Sequence, residues 1–247
     1  MCLGARQMGG WELMRILVLF PGPVRGGCEE HALMVIRWAV SAGYTIVPCC
    51  VVNEATASVI DELESLGLAV TPWELGTVGD DWISWGTAEE QRVRACQVLS
   101  GADPDAVLLL APEPDSSLGI LVGCAETMIP TVAVFTVVPP DYPVAPQDRT
   151  LGAFARRCRQ LWVTVSEDSR RQLIRAFDIE ESTRIRVVRN GRDLPVAWRN
   201  PDQAMVRAAR VSRRAEFGLP AAARVALTVA MLSAPRARLF SVANSRA

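Results

Sequence analysis

Residues 161–193 read LWVTVSEDSRRQLIRAFDIEESTRIRVVRNGRD. LWVTV is a short apolar run that stops at Ser166, a good helix N-cap. Glu167 and Asp168 then place negative charge on the positive end of the helix that follows. Leu173, Ile174 and Phe177 give that helix one apolar face. IRVV (185–188) is a second β-rich run, and Asn190-Gly191 can turn the chain through positive φ. The stretch therefore reads as strand, capped helix, loop, strand and tight turn.

The same alternation extends upstream. ILVLF (16–20) is a continuous apolar run, the mark of a strand buried on both faces of a parallel sheet. The loop PGPVRGG leads to a helix over 29–42 that buries Leu33, Ile36, Ala39 and Val40 and ends at Gly43. YTIVPCCVV (44–52) is a second strand, with Pro48 placing it near an edge or at a bulge. A helix over 56–66 and a brief strand at 68–70 follow. Residues 72–86, with Trp73, Trp82 and Trp85 among glycine and aspartate, read as a loop packed over the sheet edge. Helices at 87–100, 115–128 and about 150–160 then alternate with strands at 105–111 and 131–138 and a proline-rich loop. The pattern predicts an α/β fold, a Rossmann-like doubly wound parallel sheet over residues 14–200. Met14-Arg15 looks like a natural start, so 1–13 is expected to be a disordered extension. Residues 201–247 are expected to form a linker helix and the start of an incomplete second domain, loosely packed.

Composition narrows the chemistry. The N-terminus lacks the features of a signal peptide, and no run reaches the roughly 18 apolar residues of a membrane span. Seven scattered cysteines without C-x-x-C spacing read as free buried thiols in a reducing cytosol. His31 is the single histidine, which argues against zinc. The chain contains no lysine, which excludes Schiff-base and P-loop lysine chemistry. Residues 1–150 hold 7 arginines and 19 acids, a net −12; residues 151–247 hold 19 and 8, a net +11. The basic half is either an arginine-rich solvated surface or a site of attraction for phosphates or anionic headgroups. Nothing in it resembles a nucleic-acid motif, so DNA or RNA is not expected as a partner.

The first βα loop is the leading chemical candidate, because ligands of such sheets bind beyond the carboxyl ends of strands at helix N-termini. Gly26-Gly27 lies there, and glycine lets backbone amides approach a phosphate; a plain turn is the competing reading. The spacing Gly22, Gly26, Gly27 does not match the dinucleotide fingerprint, and no acid closes strand two. Glu29, Glu30 and His31 open the next helix, either as capping charges beside an exposed imidazole or as part of a site.

Together these segments resemble retaining glycosyltransferases of family 4, which have the GT-B fold. GGCEEHALMVIRWAVSAGYTIVPCCVV (26–52) is similar to that family's first loop and helix, with Gly26, Gly27, Glu29 and His31 matching and Glu30 in place of a basic residue. DPDAVLLLA (103–111) and MIPTVAVFTVVPPD (128–141) resemble its next two strands, without their histidines. Residues 163–193 resemble its V-S-E-x-x-R-x-x-L…I-x-V-I-P-N-G-V-D motif, and RRAEFGLPAAARVALTVAMLS (213–233) its entry into the second domain.

The resemblance implies transfer of a sugar from a nucleotide-sugar donor, as co-substrate and with no other cofactor or metal, to a sugar or lipid-linked acceptor. It implies substrate-binding roles for Gly26, Gly27, His31, Ser166 and Asn190. It assigns no catalytic residue: Met231 stands where the family has a diphosphate-binding arginine, and Arg236 is the nearest stand-in for its lysine. The chain ends before the family's E-x7-E carboxylates, which suggests truncation and a complementing C-terminal domain chain as partner. A cytoplasmic location is expected, with peripheral association at the inner membrane face left open. The alternatives are a non-catalytic remnant or binding module that keeps the acceptor-type domain, and a nucleotide-binding regulatory domain.

Overall fold

The computed structural model describes residues 14–75, 77–78, 83–84, 86–180, 185–191, 202–218 and 220. The chain divides into two compact units at Gly191–Arg192. The first begins β1 (Arg15–Phe20), α1 (Gly27–Ser41), β2 (Thr45–Cys50), a 3-10 turn (Glu54–Thr56), α2 (Ala57–Ser65) and β3 (Thr71–Pro72). It continues with β4 (Thr77–Val78), β5 (Ile83–Ser84), α3 (Ala88–Ala102), β6 (Ala106–Ala111), α4 (Leu118–Glu126) and β7 (Thr131–Phe135). It closes with α5 (Pro146–Arg156), β8 (Gln160–Thr164), α6 (Glu167–Ala176) and β9 (Ile185–Val187). In the second unit α7 spans Gln203–Glu216, capped by Asp202, whose carboxylate accepts the Ala204 N–H at 2.8 Å.

Seven strands form one parallel sheet in the order β3-β2-β1-β6-β7-β8-β9, with β4 and β5 as a separate antiparallel pair. The order reverses between β1 and β6, so this is the doubly wound Rossmann-like sheet that the apolar runs predict. The runs are apolar throughout because both faces are covered. Val18, Phe20, Leu110, Val134 and Val163 face one core with Ala32, Leu33 and Ile36 of α1. Leu17, Leu19, Leu109, Ala133, Phe135 and Trp162 face the other, with residues of α3, α4 and α6.

Several boundaries differ from the sequence reading. The brief third strand is Thr71–Pro72 rather than 68–70, because only those residues run beside Cys49 and Cys50. At Pro48, β2 therefore has a single strand neighbour, β1, and the register through Val18↔Pro48 carries no bulge. The 72–86 loop contains the β4–β5 hairpin, and Trp73 in it is buried, as the edge-packing reading requires. The seventh strand stops at Phe135, and α5 starts at Pro146, where proline fits the first helical turn. Trp82 and Trp85, residues 1–13 and the expected strand at 224–232, with Met231 and Arg236, lie outside the described residues. Among the described residues no helix is long and apolar enough to cross a membrane.

Candidate functional site

The carboxyl ends of β1 and β6 flank the point where the strand order reverses, the position at which open α/β sheets bind ligands. The loop from Pro21 to Gly26 leaves β1 here and feeds α1. A helix start leaves its first amides without intrahelical acceptors. In this chain the Glu29 carboxylate reaches back to accept the Gly26 N–H at 2.9 Å. The Gly26 amide is thus already occupied, while those of Gly27 and Cys28 open the helix beside it. A Cβ on Gly22 would collide with Oε1 of the same carboxylate, whereas one on Gly27 would meet nothing within 4 Å. The close approach in this loop is therefore that of Gly22 to Glu29, which the sequence did not single out.

Charge around the loop is internally compensated. Arg25 donates to Glu30 at 2.7 Å, to Glu62 at 3.1 Å and to the Ser58 carbonyl at 3.1 Å, and Arg37 also pairs with Glu62. Arg25 ties the loop to α2 rather than standing free as a phosphate ligand. Asn53, just past β2, donates to the Pro23 carbonyl at 2.9 Å and pins the middle of the loop. Cys28 Sγ lies 3.4 Å from the Leu110 carbonyl, linking α1 to the end of β6.

Glu29 is 3% exposed, and burial raises its pKa above the ordinary carboxylate value, with its backbone hydrogen bonds opposing. A carboxyl whose pKa is higher folded than unfolded gives stability that is full below the unfolded value and falls as pH rises through the folded one. Glu29→Gln keeps an oxygen acceptor for the Gly26 N–H without the charge. Its urea midpoint relative to wild type is expected to be higher at pH 8 than at pH 4.5. A difference that does not change between the two pH values would show that the buried charge is not what matters.

His31 follows on α1. It is half-buried rather than exposed, and its Nδ1 is buried with no hydrogen-bond partner among the described residues. Burial lowers its pKa, and the side chain of Asn190 opposes that shift. Two predicted site residues separated by most of the domain therefore meet: His31 at the start of α1 and Asn190 in the segment after β9. That segment is led in by Val188, whose N–H donates to the Thr164 carbonyl at 2.9 Å.

Ser166 does local work. Its Oγ accepts the Ser169 N–H at 3.0 Å and donates to Ser169 Oγ at 2.9 Å, capping α6 at the carboxyl end of β8. Across β6 and β7, the Tyr142 hydroxyl lies 2.7 Å from Asp115 and 3.3 Å from Glu113. Burial and Asp115 raise the pKa of Tyr142, and burial and Asp115 likewise raise that of Asp148. No local sequence signal marks this polar cluster, because its members come from two loops and the first turn of α5. No described group of three or more His, Cys, Asp or Glu side chains is arranged to hold a metal ion. Cys28, Cys49, Cys50 and Cys124 are buried free thiols, and burial pushes Cys49, Cys50 and Cys124 up to about 12, which keeps them unreactive.

No protein-family model matches the chain, and no curated protein matches it. Solved structures do. A glycosyltransferase from Rickettsia africae ESF-5 superposes with a TM-score of 0.58 at 12% identity, over 85% of this chain and 51% of that one. Anabaena HepE, solved in complex with UDP, gives a TM-score of 0.57 at 13% identity, over 83% and 50%. The chain spans about half the length of these structures. At such identities the likeness is one of fold.

Proposed function

We propose that this chain supplies the acceptor-type half of a retaining, family 4-like glycosyltransferase that moves a sugar from a nucleotide-sugar to a sugar or lipid-linked acceptor. The observation that carries the reading is the convergence of the capped glycine loop, His31 and Asn190 at the reversal point of the sheet. The likeness in fold to a solved glycosyltransferase and to a second structure that holds UDP supports it. In this reading residues 14–200 are the acceptor domain, and 201–247 lead toward a nucleotide-holding domain of the same or another chain.

The chemistry asked of the described residues is modest. The first-turn amides of Gly27 and Cys28, at the positive end of α1, would face the donor diphosphate. Charge that develops on the departing phosphate is met by such fixed dipoles without reorganisation. Glu29 holds the loop in shape by occupying the Gly26 amide. The neutral imidazole of His31, set against Asn190, would offer one polar contact to the acceptor or to the transferred sugar.

The test is amide NMR on the full chain titrated with UDP-glucose, UDP-N-acetylglucosamine and GDP-mannose. Saturable shifts at Gly27, Cys28, His31 and Asn190 with at least one donor are expected. If none of the three moves these resonances at millimolar concentration, this chain does not hold a nucleotide-sugar by itself and the proposed role of its loop fails.

A further inference from the structure

At the opposite, amino-terminal edge of the same sheet lies a cavity of about 570 Å³, between the starts of β6, β7, β8 and β9. That volume is within the range of small-molecule sites. Its apolar lining includes Val132 and Leu161, and its rim carries Arg156, Arg157 and Arg159. No acid lines it. Among the described residues none of the three arginines forms an ion pair, whereas Arg25, Arg37, Arg92 and Arg94 all do. Arg156 stacks 5.6 Å from the centre of the Trp162 ring, and its Nε is buried without a hydrogen-bond partner among the described residues. Arg159 holds a left-handed backbone with φ of 27°, unusual for a residue with a side chain.

Guanidinium groups are weakly hydrated and match oxyanions, and the three at this rim are close in sequence and without an acidic partner among the described residues. We propose that this cavity is a binding site for a small organic phosphate monoester, with the phosphate held by Arg156, Arg157 and Arg159 and an apolar body against Val132 and Leu161. Three cations favour a dianion over a monocarboxylate, and the apolar floor favours an organic phosphate over the bare ion. The site lies wholly within the first unit and does not depend on the glycosyl-transfer reading, since the glycine loop is at the other edge of the sheet.

The test uses the full chain with phenyl phosphate and inorganic phosphate as probes, followed by calorimetry and amide NMR. Phenyl phosphate is expected to saturate, about tenfold more tightly than inorganic phosphate, with shifts at Thr131, Gln160 and Leu161. Arg156→Gln is expected to weaken it at least about tenfold. Arg157→Gln, at an exposed side chain, serves as a second variant should the loss of stacking on Trp162 disturb the fold, which near-UV circular dichroism would report. Absence of saturation overturns the proposal, as does equal affinity for the two anions. Shifts confined to Gly27, Cys28 and His31, or unchanged binding by both folded variants, overturn it as well.

Discussion

Replacing Gly119 by valine is expected to destabilise the first unit by at least about 3 kcal/mol, the upper part of the usual overpacking range. Gly119 sits in the first turn of α4, where a Cβ would collide with the Ala88 carbonyl and come within 2.6 Å of Gln91 Cβ. The obstacle is backbone of α3, which cannot swing aside as the end of a long side chain could. The contact is also polar: the Gly119 N–H donates to Gln91 Oε1 at 3.0 Å, and Gln91 Nε2 donates to the Ser116 carbonyl at 2.9 Å. Gln91 is 3% exposed, so prising the helices apart would strand buried hydrogen-bonding groups. For a unit of this size, 3 kcal/mol corresponds to a fall in Tm of roughly 6–12 °C. A Gly119→Val protein that melts within 2 °C of wild type would show that α3 can move away freely. The same two helices approach closely one turn on, where a Cβ on Gly123 would lie 3.0 Å from Ala95 Cβ.

Trp162→Ala is expected to remove about 3–5 kcal/mol by large-to-small truncation in a packed core. The indole is 1% exposed. Its ring centre lies 4.8 Å from that of Phe135 and 5.3 Å from that of Phe177, the latter pair edge to face. A Cβ on Gly152 would come within 2.8 Å of the Phe177 ring and 3.3 Å of the indole itself, so α5 faces this site with a glycine and has no bulk to offer the resulting void. The loss should appear in urea unfolding as a lower midpoint with an unchanged slope. It should exceed the loss from Trp162→Phe, which leaves a ring between its neighbours. A change under about 1 kcal/mol would mean that the site collapses to fill itself. Because Arg156 rests on this ring, Trp162→Ala should also loosen the arginine rim of the amino-edge cavity.

Much of the fold was legible because its signals are local. ILVLF and AVLLLA announce strands buried on two faces, and Ser166 with Glu167 and Asp168 announces a helix start that the structure places at Glu167. Where the signal was not local, the reading drifted. Thr71–Pro72 is too short, and Pro72 too poor a strand former, to announce itself; it is a strand because Cys49 and Cys50 lie beside it. Glu29 read as one of two similar capping acids, yet folding buries it against Gly22 while Glu30 stays exposed and pairs with Arg25.

The candidate site divides in the same way. Its residue types and its place after the first strand could be named from the chain alone, because a glycine-rich turn before a helix start has one electrostatic character wherever it occurs. The sequence by itself determined the α/β class, the succession of strands and helices, the charge asymmetry and the absence of lysine. The tertiary structure alone decided that Asn190 faces His31, that the Gly26 amide is occupied by Glu29, and that three consecutive-looking arginines border a cavity. The physical reason is that caps, turns and apolar periodicity act over a few residues. Burial, strand order and the meeting of opposite chain ends are instead properties of the whole packed sheet.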